Sequence, residues 1–408
     1  MKRRCILVAT LVAGVSQADV YLLDTTKPKD AEPLYRIHGR FKLGFEWGFI
    51  DAHGNTVIRP RFADEGYFYN GLARIVVGGL SGFVNESGRI TIPARYHDAG
   101  DFREDLAPVR VGKKWGYIDQ KGQLLIAPAF QGAASFREGL ARVEAWEKIR
   151  CARGGQIYTK DNAPDYVYGL QSDIHHGINN TCFPLDSKVG YLDKSGRLAI
   201  PLRYFEAHDF FEGLAAVRLE PSGKYGFIDH KGTLIIKFEF DEVGNFSEGV
   251  AWARVGQKTA NGIRDPGRCG YIDRTGKFII EAQFAEAGNF SEGLAPVSFW
   301  DRTGRGYINR SGKLVIPARY IWVEPFSEGL ARACYEATST SWVCFYIEHS
   351  GKTVISSLQA LGPFSGGLAI AEERNERGSR TVYIDKAGRV IAPTEVESTQ
   401  TGSSPRPQ

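Results

Sequence analysis

The phrase Phe290-Ser291-Glu292-Gly293-Leu294-Ala295 constrains this chain more than any other feature, because close copies of it recur seven more times. Its aromatic residues are Phe68, Phe102, Phe136, Phe210, Phe246, Phe290, Phe326 and Phe364, spaced by 34 to 44 residues apart from one gap of 74. A second phrase keeps the same beat: an aromatic, an aliphatic residue, most often Asp, two variable residues and Gly. Its aromatic position falls at Phe49, Phe83, Tyr117, Tyr191, Phe227, Tyr271, Tyr307, Tyr346 and Tyr383. A period of this size marks stacked or radially arranged units, each too small to bury its apolar face alone.

Each unit reads as three strands. Gly-aromatic-Ile-Asp predicts a short strand a. The Asp opens a turn by accepting backbone N–H bonds, and the Gly closes it in the left-handed conformation. The run that follows, such as "LLIAP", predicts strand b, ended by Pro128 or Pro317, which cannot donate to a ladder. Strand c, "LARV" or "LAPV", follows the Phe phrase, and a turn such as Val111-Gly112-Lys113-Lys114 leads into the next strand a. The repeated Phe, Leu and Ala face inward on this reading, so the phrase is scaffold rather than chemistry. The expected fold is all-β: a tandem array of about nine three-stranded antiparallel units of about 35 residues. An open, twisted, solenoid-like array is the favoured arrangement, since nine units exceed the four to eight usual for a propeller. The alternative is a closed, propeller-like ring, completed by the lone strand-like segment 34–39 and the last hairpin ending at Pro393.

These phrases resemble the WG-repeat family of bacterial tandem repeats, over about residues 45–393. The Trp-Gly pair stands at Trp47-Gly48 and Trp115-Gly116, and its Gly is replaced in the last two units by Phe345 and Val382. The resemblance implies an all-β repeat array, often exported, with no shared catalytic site. It carries no functional residue over to this chain.

The first residues, "MKRRCILVATLVAGVSQADV", read as a secretory signal peptide with cleavage expected after Ala18. Its apolar stretch is too short to span a bilayer. The expected product is a periplasmic or secreted protein with a 19–33 linker, a 34–393 repeat domain and a polar, disordered 394–408 tail. Losing Lys2, Arg3 and Arg4 lowers the formal net charge from +4 to +1. That balance argues against a nucleic-acid partner, which calls for clustered cations. Five cysteines stay in the mature chain, and spacing pairs Cys151 with Cys182 and Cys334 with Cys344, leaving Cys269 as a small buried apolar residue.

Departures from the repeat fall at one place, the connection from strand c to the next strand a. The largest is the insertion 144–188; others are "GQKTANGIRDPGR", "YEATSTS" and "EERNERGSR". Equivalent loops of a repeat array share one face, often the binding face. Within the insertion, Tyr158, Tyr166 and Tyr168 with Asp161, Asp165, His175 and His176 are the candidate binding residues, able to stack on and hydrogen-bond a sugar or peptide. The bland alternative is a solvated loop folded on itself. No phosphate loop, nucleophile elbow or zinc motif occurs. The recurring Asp51, Asp119, Asp193, Asp229, Asp273 and Asp385 belong to the turn, and His53, His230 and His349 sit in its variable middle. The expected function is a non-catalytic, exported binding module for an envelope protein or cell-wall glycan, without metal or cofactor. The alternatives are a secreted glycan hydrolase, with Asp161 and Asp165 as its acidic pair, and a purely structural spacer.

Overall fold

The computed structural model describes residues 35–41, 44–151, 157–161, 182–256, 267–300, 304–338, 341–375, 378–393 and 395–396. The expected signal peptide, the expected 19–33 linker and most of the expected 394–408 tail lie outside them.

The two-residue periodicity of the strand runs and the absence of any helical period produce an all-β array, and no described residue is helical. The expected three strands form in each unit, and a short fourth strand joins them. In the third sheet, strand d (Asp98–Ala99) pairs with strand c (Leu106–Val111), c with strand a (Lys114–Asp119), and a with strand b (Leu124–Phe130), all antiparallel. The order d-c-a-b recurs in the second to ninth sheets. Each sheet therefore joins strand c of one sequence repeat to strands a and b of the next. This overlap stitches neighbouring repeats together with backbone hydrogen bonds.

The core lies between the sheets. Phe83 and Ile92 of the second sheet pack on Phe102, Ala107 and Val109 of the third, and clusters of the same make-up fill the other junctions. The shared beat of the two phrases now has a physical cause. The strand a aromatic packs edge-on against the following Phe, as with Phe83 on Phe102 (4.7 Å) and Tyr271 on Phe290 (4.9 Å). The hydroxyls of Tyr117, Tyr191, Tyr271, Tyr307 and Tyr346 donate to a carbonyl of the next sheet, as from Tyr117 to Ala134 (2.8 Å) and from Tyr307 to Glu324 (2.6 Å). Burying a phenol calls for such a partner, and burial pushes the Tyr117 hydroxyl well above its ordinary pKa.

The Gly of the Trp-Gly pair answers to a close approach. Strand b bulges against it, with Trp115 paired to Phe130 but Tyr117 to Ile126, and a Cβ added at Gly116 would stand 2.4 Å from the Ile126 carbonyl oxygen. Where Phe345 replaces the Gly, the paired part of strand b shrinks to Thr353–Ile355. Where Val382 replaces it, the pairing runs Val382 to Pro393 and Tyr383 to Ala392, without the bulge at that point.

The first sheet is built differently. Its strands Tyr35–Phe41, Gly44–Ile50 and Thr56–Phe62 take the places of c, a and b. Glu395–Val396 takes the place of d but runs parallel, opposite His38 and Gly39. Two residues of the expected tail are thus ordered into a strand. Ile50 of this sheet also packs with Leu368 and Tyr383 of the ninth. The nine sheets stay separate and none closes into a barrel, yet the last meets the first, which is the contact the ring alternative requires. That junction rests on two backbone pairs and one small cluster.

Candidate functional site

Strand c leaves the Phe-x-Glu-Gly turn and strand a returns toward it, so these turns and the Asp-x-x-Gly turns share one end of every sheet. The c-to-a connections emerge at the other. The two ends are built from different chemistry.

At the turn end the Phe phrase closes a two-residue hairpin: Ser291 and Leu294 exchange backbone hydrogen bonds around Glu292 and Gly293, both at positive φ (54° and 80°). Such turns favour Gly at the second place. The non-glycine residue ahead of it is held by what its side chain does. The Glu292 carboxylate accepts the Gly329 amide of the next unit's turn at 3.0 Å, and Glu104, Glu138, Glu212, Glu248 and Glu328 each accept the corresponding amide of their own successors. A cation from the neighbour's Asp-x-x-Gly turn approaches several of them: Lys194 at 3.2 Å from Glu104, and Lys386 at 3.2 Å from Glu328. His230 and His349 take that place beside Glu138 and Glu292, each at 3.2 Å and stacked on Phe210 and Phe326. His349 stays exposed while it does so and His230 is half-buried, whereas His53 has 85% of its side chain exposed. The turn carboxylates behave as read: Asp119 accepts the Lys121 and Gln123 amides at 3.0 and 2.8 Å. The hydrogen bond from Ser195 holds Asp193 below its usual carboxylate range.

The carboxylate clasp is the feature sequence reasoning missed. Its signal was present, since Glu recurs at a position where packing alone asks for none. The clasp is absent where the last sheet meets the first: Gly366 stands in the Glu place and Ala52 in the cation place. An open cleft lined by His53, Gly367, Leu368, Asp385 and Arg389 lies there.

At the loop end the insertion builds a small sheet of its own, Ile157–Thr159, Lys148–Cys151 and Cys182–Pro184. Its backbone register sets Cys151 directly opposite Cys182, the placement a disulfide between them needs. Trp146 and Ile149 are buried at its base, and the Asp186 carboxylate accepts the Glu147 and Lys148 amides, both at 3.0 Å. Lys113, in the turn of the third sheet, donates to the Asp161 carbonyl at 2.9 Å, tying the insertion to the adjacent sheet. Beneath it Glu144 is buried and accepts the Ser187 hydroxyl, and burial pushes its carboxyl up despite that bond.

Of the candidate binding residues, Tyr158 is half-buried opposite Ile149 and Asp161 is exposed. Asp165, Tyr166, Tyr168, His175 and His176 lie outside the described residues, so the acidic pair of the hydrolase alternative is described only in Asp161. Cys334 and Cys344 form a disulfide across a c-to-a hairpin, and Cys269 is buried with its sulfur 3.9 Å from the Ala285 carbonyl. Among the described residues no three His, Cys, Asp or Glu side chains gather as metal ligands. None of the described segments is a helix long and apolar enough to cross a membrane.

The chain is similar to the family model described as "WG containing repeat", which matches residues 47–80, 82–115, 115–145, 190–224, 225–258, 270–299 and 306–336. No curated protein matches it. Among solved structures it is similar to the tricorn protease, at 12% identity and a TM-score of 0.30, over 88% of this chain and 43% of that one. It is also similar to Kluyvelomyces marxianus Hsv2, at 7% identity and a TM-score of 0.31, over 77% of this chain and 97% of that one. A streptogramin B lyase follows, at 11% identity and a TM-score of 0.26, over 74% and 94%.

Proposed function

From the premise that the chain belongs to the WG-repeat family, its repeats being matched over more than half of its length, we propose a non-catalytic binding module. It presents its c-to-a connections to a partner in the cell envelope, a protein or a cell-wall glycan, with the insertion as the main contact. One observation carries this reading. The recurring carboxylates of the turn end are engaged between neighbouring sheets, whereas the connections that differ most in length and composition lie at the loop end. Export is part of the proposal. The N-terminal leader pattern supports it, as do the Cys334–Cys344 disulfide and the facing Cys151 and Cys182, which suit an oxidising compartment.

The test compares the chain from Asp19 onward with a version whose residues 152–181 are replaced by a short Gly/Ser link, in co-sedimentation with envelope fractions. The intact protein is expected to sediment and the shortened one to lose at least about tenfold in affinity, a change of about 1.4 kcal/mol. Equal binding by both would move the contact away from the insertion. Binding by neither would overturn the proposal and bring back the hydrolase and spacer readings.

A further inference from the structure

We propose that the array lies on an anionic lipid surface through its strand b edges, near the turn end, leaving the loop end to face away. Strand b is the edge strand of each of the nine sheets. In six of them its first residue, directly opposite a strand a aliphatic, is Ile90, Leu124, Leu198, Leu234, Leu314 or Val390. These side chains are 38 to 49% exposed. The fold does not need them for its core, which takes the third residue of the strand, as with Ile92, Ile126 and Ile200. Single exposed apolar residues are ordinary, but an ordered row of them marks a contact surface.

The shared register gives the six side chains the same place in their sheets, and contacts between sheets bring those places into line. The turn that opens strand b rests on strand b of the sheet before it. A Cβ added at Gly196 would stand 3.2 Å from the Ile126 side chain, and one at Gly312 would stand 3.0 Å from Ile280. Arg95 and Arg203, near the end of their own strands b, donate to the carbonyls of Gly122 and Gly232 in the next turns, at 2.8 and 3.0 Å. Because the sheets are stacked, the two faces of an edge strand look toward neighbouring sheets, not toward opposite sides of the molecule. Side chains on either face at the start of strand b therefore open onto one edge.

The charge beside the row selects its occupant. The residue that precedes strand b is Arg89, Arg197, Lys277, Lys313, Lys352 or Arg389 in six of the nine sheets, and each is exposed. Asp385 holds Arg389 at 2.7 Å, whereas the other five make no ion pair among the described residues. The acids of the same turns are spent on the backbone: Asp193 and Asp273 accept the Arg197 and Lys277 amides, both at 3.1 Å. Long cationic side chains can swing their heads toward a charged layer while their stems lie against apolar surface. A bilayer with anionic headgroups matches both rows. Aliphatic side chains enter the boundary between headgroups and acyl chains, and Lys and Arg meet the phosphates. A protein partner calls for a compact cluster of large anchors, whereas these side chains recur at the roughly 10 Å spacing of packed sheets.

The experiment is sedimentation of the chain from Asp19 onward with vesicles of phosphatidylcholine alone or mixed with phosphatidylglycerol. Beside it run a Leu124→Ser/Leu198→Ser/Leu234→Ser variant, a Lys277→Gln/Lys313→Gln/Lys352→Gln variant and the insertion-replaced version. The wild type is expected to bind the mixed vesicles at least about tenfold more tightly than the neutral ones, and less tightly as salt is raised. Each triple variant is expected to lose at least about tenfold on mixed vesicles with an unchanged melting temperature. The insertion-replaced version should bind vesicles as the wild type does, so a failure of the loop-end reading is seen separately with the envelope fractions. No binding to mixed vesicles, equal binding to both kinds, or binding that survives the serine substitutions overturns the lipid proposal. So does a concentration-dependent dimer without lipid that the serine variant abolishes, since a second copy would then cover the row.

Discussion

At the turn end, the Glu248 carboxylate of one unit accepts the Gly293 amide of the next, and the same link recurs along the array with little change in sequence. At the loop end, the connection varies from the tight turn between Val77 and Leu80 to the insertion between Ala145 and Lys188. Both ends belong to the same sheets, so the difference cannot come from the strands. It comes from what each end touches. A turn that must hydrogen-bond its neighbour is fixed by that neighbour, and through it by the whole array. A connection that protrudes beyond the sheets is constrained only by its own hairpin, so its length and chemistry are free to serve something outside the molecule.

The largest effect is expected from adding a single carbon within the stacked strands, set against the same change at the loop end. Gly116→Ala places a Cβ 2.4 Å from the Ile126 carbonyl oxygen, inside the repeated a–b bulge. The expected loss is about 3 kcal/mol, read as a drop in melting temperature. Gly112→Ala, in a loop-end turn at φ 59° with nothing within 4 Å, costs about 1 kcal/mol from its left-handed backbone alone. Equal losses would mean that the stacked strand interior constrains the chain no more than a loop-end turn does.

A smaller effect is expected from the carboxylates. Glu248→Ala leaves the Gly293 amide without its 3.1 Å acceptor and is expected to cost about 1 kcal/mol in denaturant unfolding. Glu373→Ala at the loop end, whose partner Arg380 is more than half exposed, is expected to stay within about 0.5 kcal/mol. If both proved neutral, the clasp would be a decoration of the fold and not part of what joins its units.

The smallest effect is a pH dependence specific to the turns. Asp193 and Asp273 are held below their ordinary value of 3.8 by hydrogen bonds from Ser195 and Thr275. A folded-state pKa below the unfolded one gives stability that is present above the unfolded value and lost as pH falls through the folded one. Acid melting curves should therefore steepen below about pH 4, and Asp193→Asn should flatten that slope while shifting the melting temperature little at neutral pH. Gly112→Ala leaves the slope as it is.

Much of the fold was legible because period and strand alternation are local properties. The aromatic of strand a, the Asp and Gly of its turn, and the inward Phe, Leu and Ala of strand c each act within a few residues of their neighbours. The clasp was less legible: Glu104 meets Gly139, and Glu138 meets Gly213 on the far side of the insertion. Such a link depends on which turn lies alongside, which a linear reading does not contain. Of the candidate site, the loop end was visible as a set of deviations and the Cys334–Cys344 link as a spacing.

The sequence by itself determined the unit, its strands and the turn chemistry, because hydrogen bonds and side-chain alternation within a unit act over short stretches of chain. Only the tertiary structure decided that sheets straddle two repeats, that the carboxylates from Glu104 to Glu328 join their turns to the next, and that Glu395–Val396 returns to the first strand. These are contacts between segments far apart in the chain. Their free energy arises only once the sheets are stacked and the partner groups have been brought within hydrogen-bonding distance.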